Sequence, residues 1–395
     1  MRTRGCLVLT RVPVSSSSSA VDGSVHQSQE KDAVTANKAG GGDGARGASP
    51  TGILDGHNAP AGFSDKAGKN RAVREWTCKH DGSLLEQAWT FIGLTILMFA
   101  FCIFAPVAAI GWIFLPLTHG MWHFTAFVIA YTVTQNLPKW YSRSYKDGPV
   151  HSAIITTLAT YVNKFKMIKE CDLDPSKNYV FAWHPHGRLF YGFGMLIGLF
   201  SQWFPEIAEG GRDIFGGVND TMFRVPFVSN WLYLIGLIEC NKRSVCRKLK
   251  HGDSVGLIVG GIDEVLEGTF DDRDVLFLKN RKGFCKIAMD NGSGVVPCYC
   301  YGENSLYQHE PSFVLNFWRW VNRFVKLGAP LPIRGVWGTP FPKREPLLVV
   351  FGKPLFAEEG ESVDAFHRRY MDALVALHAK YVSESGCPDK KLVIV

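Results

Sequence analysis

The sequence predicts an α/β protein preceded by a membrane-embedded helical segment and a low-complexity tail. Three observations carry that reading. After Lys139, short apolar runs of strand length alternate with amphipathic helical stretches, the pattern of a sheet covered by helices. From Gln87 to Pro138 there is no Lys, Arg, Asp or Glu, a run of roughly fifty residues where one membrane helix needs about 20. Residues 1–70 are the reverse: Ser, Gly, Ala and Asp with few large apolar side chains. Such a segment cannot bury enough surface to offset chain entropy and is expected to be disordered.

Three units follow: a tail over 1–75, a membrane segment over 82–138 and a catalytic domain over 139–395. The tail opens with Arg2, Arg4, Arg11 and the run Ser15–Ser19, with no acid before Asp22. That resembles an organelle transit segment; a tail that merely lacks acids is the alternative. Pro106 and Pro116 interrupt the apolar run, which gives a helical hairpin or two closely spaced spans. Lys66, Lys69, Arg71, Arg74 and Lys79 precede it, and Lys139, Arg143 and Lys146 follow. Basic residues on both flanks put both ends on the cytosolic side.

In the third unit, strands are expected at Tyr179–Trp183, Val255–Val259, Val295–Tyr301 and Pro346–Phe351. Helices are expected at Ser152–Glu170, Ser244–Lys250 and Asp364–Ser383. The last carries Phe366, Tyr370, Leu374, Leu377 and Tyr381 along one stripe. Lys391–Val395 reads as an added edge strand.

Composition excludes several functions. The net charge of +7 shows no basic stripe or nucleic-acid motif, so no nucleic-acid partner is expected. The ten cysteines include no CxxC pair and no zinc spacing, which leaves them as reduced core thiols. No metal and no bound cofactor is expected. Gly252-Asp253-Ser254-Val255-Gly256 matches the G-x-S-x-G pattern, yet a charged helix precedes it and a strand follows. A nucleophile elbow needs the opposite order.

The chemistry centres on His184-Pro185-His186-Gly187, at the end of the apolar run Asn178–Trp183. Two imidazoles, with a stiff proline and a permissive glycine, suit a positioned general base. A metal pair and a purely structural role are the alternatives. A base needs an orienting carboxylate. Val259-Gly260-Gly261-Ile262-Asp263-Glu264 supplies two, Asp263 and Glu264, at the carboxyl end of a strand, where sites in α/β sheets gather. Lys279-Asn280-Arg281-Lys282-Gly283 could hold the phosphates of a nucleotide-bearing donor or be a solvated turn.

Taken together, these pieces resemble the type-2 diacylglycerol acyltransferase family. The resemblance covers roughly residues 85–395. It rests on Asn178–Gly187, on Val259-Gly260-Gly261 with Glu264, on Leu278–Phe284 with Ala288, and on Val296-Pro297 with Tyr301-Gly302-Glu303-Asn304. Gly352-Lys353-Pro354-Leu355 and the terminal helix with His378, Lys380 and Tyr381 complete the series. Asp263, where the family usually carries an uncharged residue, is a departure.

The resemblance implies a glycerolipid-acyltransferase-like sheet with flanking helices. It also implies an endoplasmic-reticulum membrane protein that meets lipid droplets, transferring an acyl group from acyl-CoA to diacylglycerol to form triacylglycerol. A monoacylglycerol or long-chain-alcohol acceptor is the sibling alternative. Acyl-CoA, diacylglycerol and membrane lipids are the expected partners, and a homo-oligomer is left open. In the expected mechanism His186 is the base, Glu264 orients it, and His184 shapes the turn or polarises the thioester. Gly187 lets backbone N–H groups approach the oxyanion. Arg281 and Lys282, with Gly283 beside them and Arg243, hold the donor.

Overall fold

The computed structural model describes residues 161–162, 164–196, 203–224, 236–267, 272–325 and 333–395, two short strands at 63–67 and 74–78, and isolated positions elsewhere. The segment 82–138 expected to enter the membrane lies outside the described residues apart from single positions, as does most of the tail. Among the described residues, no helix is long and apolar enough to cross a membrane.

The strands are β1 (Phe63–Ala67), β2 (Arg74–Cys78), β3 (Phe165–Lys169), β4 (Tyr179–His184), β5 (Ile214–Val218), β6 (Leu237–Glu239), β7 (Ser254–Ile258), β8 (Arg273–Leu276), β9 (Gly294–Tyr301), β10 (Leu347–Phe351) and β11 (Lys391–Ile394). The helices used below are α1 (Tyr191–Leu196), α2 (Pro205–Glu209), α3 (Lys242–Lys250), α4 (Gly261–Glu267), α5 (Gly283–Asp290), α6 (Ser312–Val325) and α7 (Val363–Tyr381).

Nine strands form one mixed sheet in the order β1-β2-β3-β10-β9-β4-β7-β5-β6. From β9 to β6 every pairing is parallel. This is a parallel-rich α/β sheet, and β4 lies in its middle. Every residue of β4 is buried, as expected of a strand covered on both faces. Its side chains alternate: Tyr179, Phe181 and Trp183 join one core cluster with Phe193, Phe204 and Phe351. Val180 and Ala182 join the other with Phe284, Tyr370 and Leu374. The expected stripe on α7 is buried in that second layer. Its helix starts at Ser362, whose hydroxyl accepts from the Ala365 N–H at 3.2 Å.

One expectation is corrected and one is located. The helix expected over Ser152–Glu170 is not one at its end: Phe165–Lys169 is a strand, parallel to β10 and antiparallel to β2. Its lysines resemble a polar helix face in sequence. In the fold, Lys169 is buried and pairs with Glu206 at 2.7 Å and Asp172 at 3.1 Å, so a sheet position satisfies the charge. The terminal strand also forms, but as a parallel partner of β8 in a separate two-stranded sheet. There the main-chain carbonyl end of Val395 accepts from Leu278 and Lys279.

Candidate active site

The parallel strands deliver their carboxyl ends to one edge, and β4 delivers the His184–Gly187 block there. His184, 0% exposed, is the last residue of β4. Its Nε2 lies 2.9 Å from the Tyr370 hydroxyl of α7, and its Nδ1 has no partner among the described residues. Burial pushes its pKa down to about 3, so the ring is neutral at ordinary pH. His184 is therefore anchored inside the core.

His186 is the more open of the pair, partly exposed. Its Nδ1 lies 3.1 Å from the Gly187 carbonyl. A carbonyl can only accept, so Nδ1 carries the proton and Nε2 keeps its lone pair. Burial lowers its pKa to about 4, against the small opposing effect of that bond. The ring also meets Phe190 edge-on at 6.3 Å.

The backbone between these histidines and α1 turns sharply, and a carboxylate fixes the turn. Glu303, in the short 3-10 turn that follows β9, accepts from the N–H groups of Tyr191 and Gly192 at 2.6 and 2.7 Å. The Cys300 thiol adds a contact at 3.6 Å. Burial raises Glu303 to about 7, with these donors holding it back. Gly187 has φ +64, and a Cβ there would lie 2.5 Å from Glu303 Cγ, so both conformation and space demand glycine. The sequence suggested that Gly187 lets backbone N–H groups approach the oxyanion, without saying which. The first two N–H groups of α1, those of Tyr191 and Gly192, are bound to Glu303 and so are not available for that role.

The second motif supplies the acid and separates its two carboxylates. Asp263 is exposed and pairs with Arg281 at 2.8 Å. Glu264 is 1% exposed. It folds back over Gly260, where any Cβ would fall 1.2 Å from its Oε2. Burial pushes Glu264 well above the usual carboxylate range, and the Asp274 charge adds to the rise. The main-chain N–H of His186 faces the carboxyl and opposes this, though neither carboxyl oxygen completes a hydrogen bond. Glu264 thus meets the histidine block through the backbone. The hydrogen bond expected from the imidazole N–H to its carboxylate is not formed, because the side chain turns back toward Gly260.

The expected donor-binding residues are spread over the surface. Arg281 joins α4 to the turn before α5, and Lys282 pairs with Asp364 of α7 at 2.8 Å. Gly283 begins α5 with open space beside it. Arg243 lies in the first turn of α3, which follows β6 and packs against β7 and β6. Lys242, Arg243, Arg247 and Lys250 line one shallow depression there. Ser254 of the G-x-S-x-G match is fully buried at the start of β7, and its hydroxyl accepts from the Tyr179 N–H at 3.0 Å.

Comparisons with known proteins point the same way. The diacylglycerol acyltransferase family model matches residues 113–395. Diacylglycerol O-acyltransferase 2A from Umbelopsis ramanniana is 34% identical over 239 residues, covering 54% of this chain and 65% of that one. 2-Acylglycerol O-acyltransferase 1 from Bos taurus is 32% identical over 245 residues, covering 58% and 72%. Acyl-CoA wax alcohol acyltransferase 1 from Mus musculus is 30% identical over 251 residues, covering 58% and 74%. The crystal structure of the 1-acyl-sn-glycerophosphate acyltransferase PlsC from Thermotoga maritima is matched over 74% of this chain and 93% of that one, at 14% identity and a TM-score of 0.35. The sequence matches share one class of chemistry, acyl transfer to an oxygen acceptor. The chain belongs to the diacylglycerol acyltransferase family and is an acyl-CoA-dependent O-acyltransferase of lipid biosynthesis.

Proposed function

We propose that this enzyme transfers a fatty acyl group from acyl-CoA to the free hydroxyl of diacylglycerol, forming triacylglycerol, with His186 as general base. The observation that carries the reading is the state of His186. Its Nδ1 is committed to a carbonyl, and no hydrogen bond to its Nε2 is found among the described residues. The acceptor oxygen attacks the thioester carbon as its proton passes to Nε2. The tetrahedral intermediate then expels the CoA thiolate, which takes the proton from the imidazolium. Glu264 faces the main-chain N–H of His186 from its buried position and so helps orient the turn that presents the ring, and Tyr370 holds His184 so that the turn stays fixed.

The test supplies labelled acyl-CoA with diacylglycerol, monoacylglycerol or a long-chain alcohol and identifies the ester. Triacylglycerol is the expected main product. Diacylglycerol or wax ester in its place would move the enzyme to the sibling reading, which the Bos taurus and Mus musculus relatives support. No ester from any acceptor would overturn the proposal.

The site is proposed to work at a membrane of the endoplasmic reticulum and at lipid droplets. Helix α6 supports this. Phe313, Phe317 and Trp320 are exposed at 74%, 55% and 56%, and their spacing puts them on one face. The opposite face is held down: Leu315 packs with Val265 and Leu266 of α4, and Arg319 pairs with Glu267 at 2.7 Å. An aromatic face beside basic residues suits a bilayer interface. The same α4 carries Glu264, so this face and the acid are mechanically joined. Phe317→Ser with Trp320→Ser should raise the apparent KM for vesicle-borne diacylglycerol about tenfold. The KM for acyl-CoA and the melting temperature should stay as they are. An unchanged acceptor KM removes α6 from the bilayer contact.

A further inference from the structure

Arg188 follows the His184–Gly187 block directly, in the turn at the carboxyl end of β4. It is 5% exposed. Among the described residues, none of its Nε, Nη1 or Nη2 has a hydrogen-bond partner. A guanidinium does not give up its proton at accessible pH, so this is a buried cation with five unused donors. Its electrostatic counterpart is Glu310. That carboxylate, also buried, is already gripped at both oxygens by Arg334, through Nε at 2.9 Å and Nη2 at 2.7 Å. Two guanidinium groups thus share one carboxylate, and the group keeps a formal positive charge. Folds rarely bury a charge in this way unless an anion completes it. The cations expected from the sequence to hold the donor differ: Arg281 and Lys282 are exposed and have carboxylate partners.

We propose that Arg188 is the binding residue for a phosphate group carried by a substrate, held by its bidentate fork beside the base. This rests on the acyltransferase reading of the same site. A guanidinium fork matches phosphate oxygens in pairs. Two sources fit: the CoA portion of the acyl donor, and an acceptor with a phosphorylated glycerol head.

The experiment uses the full chain in detergent micelles and its Arg188→Gln and Arg188→Lys variants. Three readouts are compared: the KM for oleoyl-CoA, acyl transfer to lysophosphatidate, and the melting-temperature shift produced by CoA or inorganic pyrophosphate. If the phosphate belongs to the donor, Arg188→Gln raises the KM for oleoyl-CoA at least tenfold, with a smaller change in kcat, and loses the shift from CoA. If it belongs to the acceptor, the native enzyme acylates lysophosphatidate, Arg188→Gln loses that activity at least tenfold, and the donor KM stays put. In either case Arg188→Lys recovers part of the loss, and neither variant melts below the native protein. Equal KM, equal lysophosphatidate turnover and equal shifts in native and Arg188→Gln overturn the proposal. Unfolding of both variants also overturns it, because the side chain would then be structural. If the native enzyme makes no ester at all, the parent reading fails, and the melting shifts still decide whether Arg188 binds phosphate.

Discussion

His186→Ala is expected to lower kcat/KM for ester formation by about 10²–10⁴-fold while the protein folds and melts as before. The side chain is partly exposed, and its loss removes one hydrogen bond to the neighbouring carbonyl and one edge contact with Phe190. His184→Ala is the informative control. That ring is buried and bonded to Tyr370, so its removal opens a cavity and should cost on the order of 2–5 kcal/mol of stability. Activity and melting temperature fall together in the second variant and separate in the first. The pH profile gives an independent check. Because burial holds His186 near 4, the base stays unprotonated as pH drops through the ordinary histidine value of 6.5. The acid limb of kcat/KM is therefore expected below pH 5. Near-normal turnover by folded His186→Ala would remove the base assignment.

Glu264→Gln is expected to reduce turnover by a comparable factor and yet to leave the protein at least as stable at neutral pH. Folding raises the Glu264 pKa above the ordinary glutamate value of 4.5. Below pH 4.5 the group is protonated in both folded and unfolded chains and contributes no slope. Between 4.5 and the raised folded value, the unfolded chain ionises first, so this group erodes stability as pH rises. Glutamine does not ionise, and the variant loses that slope. Melting curves from pH 4 to pH 8 should show the native protein losing ground to Glu264→Gln as pH increases. Asp263→Asn breaks an exposed pair with Arg281 and should shift stability by no more than about 1 kcal/mol, with activity largely kept. Full activity in Glu264→Gln, or a collapse in Asp263→Asn, would exchange the two roles.

How far the sequence disclosed this arrangement depended on burial. β4, β7, β9 and β10 were readable because their apolar runs have strand length and turn signals at both ends. The α7 stripe was readable from its spacing. β3 was hidden, since a lysine inside a sheet looks like the polar side of a helix until Glu206 and Asp172 appear beside it. Helices α4 and α5 are short and begin at glycines, which read as turns.

The same division holds at the site. His184, His186 and Glu264 stood out by residue type and position. The difference between an anchored His184 and an open His186 did not, because it depends on Tyr370, which lies 186 positions away. Glu303 was visible only as a residue of a family motif. Its clasp on Tyr191 and Gly192 joins segments more than a hundred positions apart, and no local pattern announces it. Arg188 was overlooked although it adjoins the block, since one basic residue in a turn is ordinarily solvated.

That long-range clasp has a consequence for how the enzyme comes into being. The turn bearing His186 is shaped by Glu303, and β4 is flanked on one side by β9. A nascent chain halted before residue 303 would hold both imidazoles with nothing to set their geometry. Prematurely terminated products should therefore be inert toward the cell's thioesters, and competence should arrive in a single late step of synthesis rather than by degrees.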